Sequence, residues 1–398
     1  MKVVIAGGGI GGLAAALALH AHGHEVQVLE QAPELTEIGA GLQISPNGWR
    51  VLDALGVTEK ITETAFFPEA IEMRLGESGK QIFRLEMATT ARKRWGAPYI
   101  QIHRADLHRA LATVLEERFP GALRTGATFD IYAIEKNKVE VYLTDGETLI
   151  ADLLVGADGL HSNVRAQMMG PDLPRYTGFM AWRALAPVEV LGDLVPPPTA
   201  CVWVGQNQHA VTTRIHGGKT VNFVGMVERP EPAQEGWRIV GERADALADF
   251  EGWDPRLEAV LKTAEKVHCW ALFDRAPLPQ WHERHVVLLG DAAHPMLPSM
   301  AQGAVQALED AWVLAASLGQ HPIVEESLSA YFAKRIGRAS RVQSGSASNA
   351  RMFHQASGLG KALFYGPMSI AARLAPWVLH RRQDWVYGYD PIKDMKAR

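Results

Sequence analysis

At 398 residues the chain exceeds one ordinary core, and domains of roughly 100–200 residues predict two or three units. A composition 47% hydrophobic and 21% charged is that of a globular protein, and a formal charge of -4 excludes a basic, phosphate-tracking nucleic-acid binder. Two cysteines, Cys201 and Cys269, are too few for a disulfide framework and suit a reducing compartment, the cytoplasm.

The first thirty residues predict a strand, a glycine turn, a helix and a second strand. Val3 to Leu19 has the apolar look of a signal peptide, but five glycines between Gly7 and Gly12 would break such a segment. "KVVIA" reads as a buried parallel strand. "GLAAALALHAHG" reads as a helix stopped at Gly23, and "EVQVLEQ" as the next strand. The turn between them, Gly7-Gly8-Gly9-Ile10-Gly11-Gly12, fits G-x-G-x-x-G. Gly7 allows a tight turn, Gly9 a close approach to pyrophosphate, and Gly12 close helix–strand packing. Glu30, eighteen residues past Gly12, ends the second strand where an acid accepts ribose hydroxyls. The pattern predicts a dinucleotide site without separating NAD from FAD. The only other glycine-rich candidate, "GLGKALFYG" near Gly358, lacks the third glycine and the preceding strand.

Two later apolar runs, "ADLLVGAD" (Ala151–Asp158) and "RHVVLLGD" (Arg284–Asp291), also end on Gly/Asp turns. Ligands of doubly wound sheets sit beyond the carboxyl ends of the strands, so these ends and the glycine turn are expected to meet at one ligand. From Pro171 to Pro279 the pattern changes to alternation ("ACVWVGQ", "AVTTRIH", "TVNFVGMVE"), which predicts antiparallel strands inserted into the first domain. A smaller part of that second unit is expected from about Pro68 to Tyr99. Beyond Ser327 the pattern is helical to about Arg382. The expected division is therefore a Rossmann-like domain from 1–70, 98–170 and 280–350, a β-sheet substrate domain from 71–97 and 171–279, and a helical region over 351–398. "GAVQALEDAWVLAASLG" predicts a helix whose N-terminus faces the preceding loop with partial positive charge and free N–H groups.

Some patterns invite readings that their geometry does not favour. "HAHGH" (His20, His22, His24) spans a helix end and a turn, so its side chains diverge, and "HERH" (His282, His285) lacks a third ligand; no metal is expected. "GPMSIAARLAPWVLHRR" has an amphipathic look, read as a helix packing on the dinucleotide domain or a subunit partner rather than as a membrane anchor.

Three motifs in order, "GGGIGGL", "GADGLHSNVR" (Gly156–Arg165) and "GDAAHPMLPSMAQGAVQALEDA" (Gly290–Ala311), resemble the single-component FAD-dependent aromatic hydroxylases. These are the salicylate, 3-hydroxybenzoate and 6-hydroxynicotinate monooxygenase relatives of p-hydroxybenzoate hydroxylase. The resemblance extends through "PNGWRVLDALGV", "IHRADLHRAL", "GFMAWRALAP" and "QDWVYGYDP". It implies an FAD-dependent monooxygenase that uses NADH or NADPH and O2 to hydroxylate a small phenolic, benzoate-like or N-heteroaromatic substrate through a flavin C4a-hydroperoxide. It implies a monomer or homodimer with neither nucleic acid nor membrane as partner.

By that resemblance Glu30 would hold the adenosine ribose and Arg104 the FAD phosphates. Asp158 would sit in a turn shared by FAD and nicotinamide nucleotide. Asp291 would contact the flavin-side hydroxyls, and Pro298, Gly303 and Ala304 would frame the isoalloxazine. His209 matches a histidine that activates the phenol in relatives; the bland alternative is a strand histidine facing solvent or a carbonyl. Thr213 stands where many relatives have tyrosine. Met300 and Gln302 are expected near the substrate; Arg183 either holds a substrate carboxylate or serves the flavin and the domain interface, and His294 either touches the cofactor or is idle. Ala301 replaces a common glycine, restricting φ. Two other classes stay open: a flavin reductase or halogenase-like enzyme, although the lysine and tryptophan-rich signature of halogenases is missing, and a non-catalytic flavin redox sensor.

Overall fold

The computed structural model describes residues 1–35, 40–231, 239–354, 363 and 365–396. "GLGKALFYG" lies largely outside them. The opening βαβ unit is strand Lys2–Ala6, helix Ile10–Ala21 and strand Glu25–Glu30. Small side chains let that helix be buried on two sides, between its sheet and helix Gly303–Gln320. The first sheet has six strands in the order His282–Glu283, Val286–Leu288, Leu153–Gly156, Lys2–Ala6, Glu25–Glu30, Leu123–Thr125. All neighbours are parallel except the edge pair His282–Glu283 with Val286–Leu288. Its central strands, Lys2–Ala6 and Leu153–Gly156, are almost wholly buried, as apolar runs covered on both faces must be.

The alternating region forms a seven-stranded sheet in the order Val267–Asp274, Arg175–Pro187, Thr220–Glu228, Gln208–Ile215, Ala200–Val204, Ala70–Leu75, Gln81–Glu86. Neighbours are antiparallel apart from Ala200–Val204 beside Ala70–Leu75, where the early segment joins the far edge in parallel. The fold is thus α/β, with a Rossmann-like domain, an inserted, mostly antiparallel sheet and a helical C-terminal region. A three-stranded antiparallel sheet (Phe129–Glu135, Lys138–Leu143, Thr148–Ala151), absent from the sequence expectation, leads into strand Leu153–Gly156.

Helix Val324–Phe353 runs back along the molecule, followed by Gly366–Leu374, Pro376–Tyr387 and Pro391–Lys396. The amphipathic stretch packs on the second sheet, where Leu379, Met368 and Ala372 meet Leu85, Trp95 and Tyr99 in one apolar cluster, and its second helix also touches helix Pro46–Ala54 of the first domain. Among the described residues no helix is long and apolar enough to cross a membrane.

Candidate active site

The three strand ends open on one cavity of about 1000 Å³, which Gly7, Gly9, Ala157, Asp158, Gly290 and Asp291 help to line. Gly7 has φ of 107°, and a Cβ there would lie 2.5 Å from the Ala157 carbonyl oxygen. A Cβ on Gly12 would come within 1.9 Å of the Gly7 oxygen. Gly9 differs: its Cβ would meet nothing within 4 Å, because it faces the cavity. These are the turn, packing and close-approach roles that the three positions require. Glu30 accepts from the Gly8 amide at 2.9 Å and the Ala32 amide at 2.8 Å, which fixes its carboxylate on the cavity wall. His108 lies 2.6 Å from the Gly8 oxygen through Nε2, so that nitrogen carries the proton. Arg104 begins helix Arg104–Arg118 and lines the same wall.

Asp158 caps helix Asn163–Met169, accepting from Ser162 Oγ at 2.5 Å and the Val164 amide at 3.2 Å. Burial raises its carboxyl above the usual range, and these hydrogen bonds offset part of the rise. Asp291 is surrounded by protein but exposed toward the cavity that it lines. Burial raises its carboxyl too, against the pull of His294 and Arg104.

The loop after Asp291 ends in a 3-10 turn, Pro298–Met300, and at Ala301 the chain takes φ of 51°, the left-handed region that favours glycine. Helix Gly303–Gln320 starts behind it, with Gly303 and Ala304 on the cavity wall. Gln302 does not line the cavity. Its Nε2 donates to Ser45 Oγ at 2.9 Å, Ser45 donates to Asn47 Oδ1 at 2.6 Å, and Asn47 donates back to Gln302 Oε1 at 3.1 Å, a closed ring. Asn47 also donates to Glu309, which with Asp310 forms a fully buried cluster around Arg335. His294 is neither idle nor on the cavity wall: its Nε2 lies 2.6 Å from Asp310 Oδ2.

Beyond the loop the cavity becomes apolar. Phe83 and Leu85 from one sheet edge, Val211 and Met226 from its middle, and Met300 and Trp385 form its walls. The polar groups here are few. His209 is buried and its Nδ1 lies 2.7 Å from His354 Nε2. Burial, and secondarily His354, holds its imidazole well below the usual histidine range. Thr213 accepts from Asn222 Nδ2 at 3.0 Å. The Tyr99 hydroxyl donates to Gln43, and burial raises that phenol well above its usual value. Arg382 lines the same end from helix Pro376–Tyr387. Arg183 does not line the cavity; its guanidinium stacks over Trp270, 4.5 Å from the ring centroid.

A family model described as an FAD binding domain matches residues 1–346. The chain is 36% identical to 3-amino-4-hydroxybenzoate 2-monooxygenase PtmB3 of Streptomyces platensis, over 98% of this chain and 96% of that protein. It is 34% identical to 3-hydroxybenzoate 6-hydroxylase 1 of Aquipseudomonas alcaligenes, over 99% of both. The chain belongs to the FAD-dependent aromatic hydroxylases. Its fold superimposes on Klebsiella pneumoniae HpxO complexed with FAD and uric acid with a TM-score of 0.86 at 25% identity, over 98% of this chain and 97% of that one.

Seen as a flavin hydroxylase, the chain gathers most of the residues singled out in its sequence: Gly7, Gly9, Glu30, Arg104, Asp158, Asp291, Pro298, Met300, Gly303, Ala304, His209 and Thr213 all line one cavity. Gly12 packs behind the turn; Arg183 and Gln302 sit off the wall. Sequence reasoning missed His354, Glu228, Tyr99 and the Glu309–Asp310–Arg335 cluster. The cluster had a signal, since three charged residues fall on the apolar-periodic faces of two helices. The other three had none, because long-range packing of the sheet, its neighbouring strands and the end of helix Val324–Phe353 sets their partners. No metal-ligand group forms at "HAHGH" or "HERH" among the described residues; His103, Asp106 and His216 do bring ligand atoms within 4.8 Å of one another. His103 Nδ1 meets the Ala105 amide, Asp106 Oδ1 faces Arg109 and His216 Nδ1 meets Thr220, while Asp106 Oδ2 lies 3.7 Å from His216 Nε2.

Proposed function

We propose that the protein hydroxylates a small aromatic ring carrying a hydroxyl, and in most substrates a carboxylate, using FAD, NADH or NADPH, and O2. The residues fit FAD: a glycine turn that a Cβ would block, an acid at the second strand end, and a helix N-terminus at the far side of one cavity. Bound FAD supplies the redox chemistry, taking electrons from the nicotinamide and delivering one oxygen atom of O2.

This chain's residues would do the rest. Gly7 and Gly9 admit the pyrophosphate, Glu30 and Asp291 present carboxylates to sugar and ribityl hydroxyls, and Arg104 offers a forked cation to phosphate. Asp158 holds the turn beside them. Pro298, Gly303 and Ala304 border the ring, where first-turn amides favour negative charge by about 1 kcal/mol. The apolar walls exclude water. Arg382 suits a carboxylate at the open side. His209, kept neutral by burial, takes the phenol proton at Nε2, because an ionised phenol is the better nucleophile toward oxygen. Thr213 is too short for the tyrosine role of relatives; Tyr99 is a phenol on the same wall.

The single observation that carries the reading is that one cavity joins the glycine cradle to an apolar box with a buried histidine on its wall. The test is a screen of 3-hydroxybenzoate, 3-amino-4-hydroxybenzoate, 6-hydroxynicotinate, salicylate and urate for stimulated NADH or NADPH oxidation, with product masses. A gain of one oxygen on at least one ring is expected. Full flavin loading with no oxygenated product from any ring would sink the reading.

A further inference from the structure

His209 is one end of a chain of three side chains. It sits on strand Gln208–Ile215 opposite Met226, two residues before Glu228, so His209 and Glu228 project from the same sheet face. His354, just past the end of helix Val324–Phe353, lies between them. Its Nε2 is 2.7 Å from His209 Nδ1, and its Nδ1 is 2.8 Å from Glu228 Oε1. Backbone bonds fix the arrangement: the Asn207 amide donates to the His354 carbonyl at 3.2 Å and the Glu228 amide to the Asn207 carbonyl at 3.0 Å. His209 and His354 are buried, whereas the Glu228 side chain is 45% exposed. The chain therefore runs from the cavity wall to solvent.

Its hydrogen bonds have a direction. A carboxylate only accepts, so His354 presents Nδ1–H to Glu228 and, when neutral, a lone pair at Nε2. His209 must then carry its proton at Nδ1, which leaves a lone pair at Nε2. That nitrogen has no hydrogen bond among the described residues, and His209 lines the cavity. Glu228, from strand Thr220–Glu228, is the charged group facing His354, and His354 the titratable group facing His209; the neighbouring Arg229 is turned to Asp249. Phe353 and Phe179 close the remaining sides.

We propose that His354 and Glu228 are positioning residues that hold His209 in its proton-accepting tautomer and carry the substrate's proton out of the cavity. The proposal rests on the reading of His209 as the base. The phenol O–H breaks as N–H forms at His209 Nε2. The Nδ1 proton of His209 passes to His354 Nε2, and the Nδ1 proton of His354 passes to Glu228 and on to water. After oxygen transfer the product phenolate takes the Nε2 proton of His209, and the relay runs in reverse from water through Glu228 and His354, which restores both tautomers; no electrons move.

The test is nitrogen NMR of the FAD-loaded protein carrying labelled histidine, which reads tautomers without any ligand. Both imidazoles are expected neutral with the proton on Nδ1 at neutral pH. Glu228→Ala should redistribute the His209 proton between its nitrogens, and Glu228→Gln, which keeps an acceptor oxygen but loses the charge, should restore the tautomer. With 3-hydroxybenzoate as the kinetic probe, Glu228→Gln should still lower kcat at least about tenfold with KM unchanged, and His354→Gln likewise. A His209 proton found on Nε2, or a tautomer indifferent to Glu228→Ala, overturns the proposal. If the tautomers are as expected but His209→Ala retains wild-type hydroxylation, the base assignment fails instead. Glu228 is exposed, so its variants fold even if those of His354 do not.

Discussion

Gly9 and Gly12 lie three residues apart and answer to different constraints. A methyl at Gly12 would strike the Gly7 carbonyl at 1.9 Å, backbone against backbone, so no side chain can yield. A methyl at Gly9 meets only the cavity, and the residue's φ of -71° suits alanine. Gly12→Ala should therefore fail to give folded protein. Gly9→Ala should fold with its melting temperature as apoprotein unchanged, yet purify with little flavin; circular dichroism and visible absorbance separate the two. Equal flavin content in Gly9→Ala and wild type would show that the cofactor keeps its distance from that turn. Both glycines were legible in the sequence because the G-x-G-x-x-G spacing marks them, Gly12 for packing against the turn and Gly9 for the approach of a ligand. Gln302 was read as a substrate contact from its place in the loop, and Arg183 as a substrate or interface residue from the resemblance. Nothing local revealed that the Gln302 amide is consumed by Ser45 and Asn47, or that Arg183 turns to Trp270.

Helix Gly303–Gln320 is aimed at the cavity by a charge cluster rather than by its cap, which makes no side-chain hydrogen bond. Glu309 and Asp310 face Arg335 from helix Val324–Phe353, at 2.6 and 2.7 Å, and Arg338 adds a second guanidinium to Glu309. Removing one partner leaves a buried charge uncompensated, at a cost of about 3–5 kcal/mol. Arg335→Leu should lower the urea midpoint accordingly; a midpoint within error of wild type would mean that water or rearrangement compensates the carboxylates. Burial alone would raise the Asp310 carboxyl, but His294 and Arg335 outweigh it and bring it from 3.8 to about 2. Unfolding in that window takes up a proton, so the stabilisation is complete above about pH 4 and is lost as pH falls toward 2. Acid unfolding followed by tryptophan fluorescence should show this limb, and in Arg335→Leu it should start at higher pH. The elements themselves were readable from periodicity. Their pairing was not, because periodicity says which face is buried and not which buried charge meets which.

At the scale of the molecule, the cavity belongs to no single unit. Its cofactor end is built from three parallel strand ends, and its apolar end from the inserted sheet and the C-terminal helices. The first end was legible, since one strand ran into the glycine turn and the two later ones ended on Gly/Asp turns. The sequence could not foretell the second, where His354 reaches His209 across 145 positions of chain. A continuous cavity makes its two occupants neighbours, and bound FAD would supply one wall of the aromatic site. Binding energies then couple reciprocally: whatever factor FAD adds to the affinity for an aromatic acid, that acid adds to the affinity for FAD. FAD at a thousandfold excess over its Kd should stabilise the fold by about 4 kcal/mol. Saturating 3-hydroxybenzoate should raise the melting temperature of the FAD-loaded protein and leave that of the apoprotein nearly unchanged. Calorimetric titration of each ligand, with and without the other, should return one and the same factor. An aromatic acid that binds the apoprotein as tightly as the loaded protein would place its site away from the flavin wall, on the inserted sheet alone.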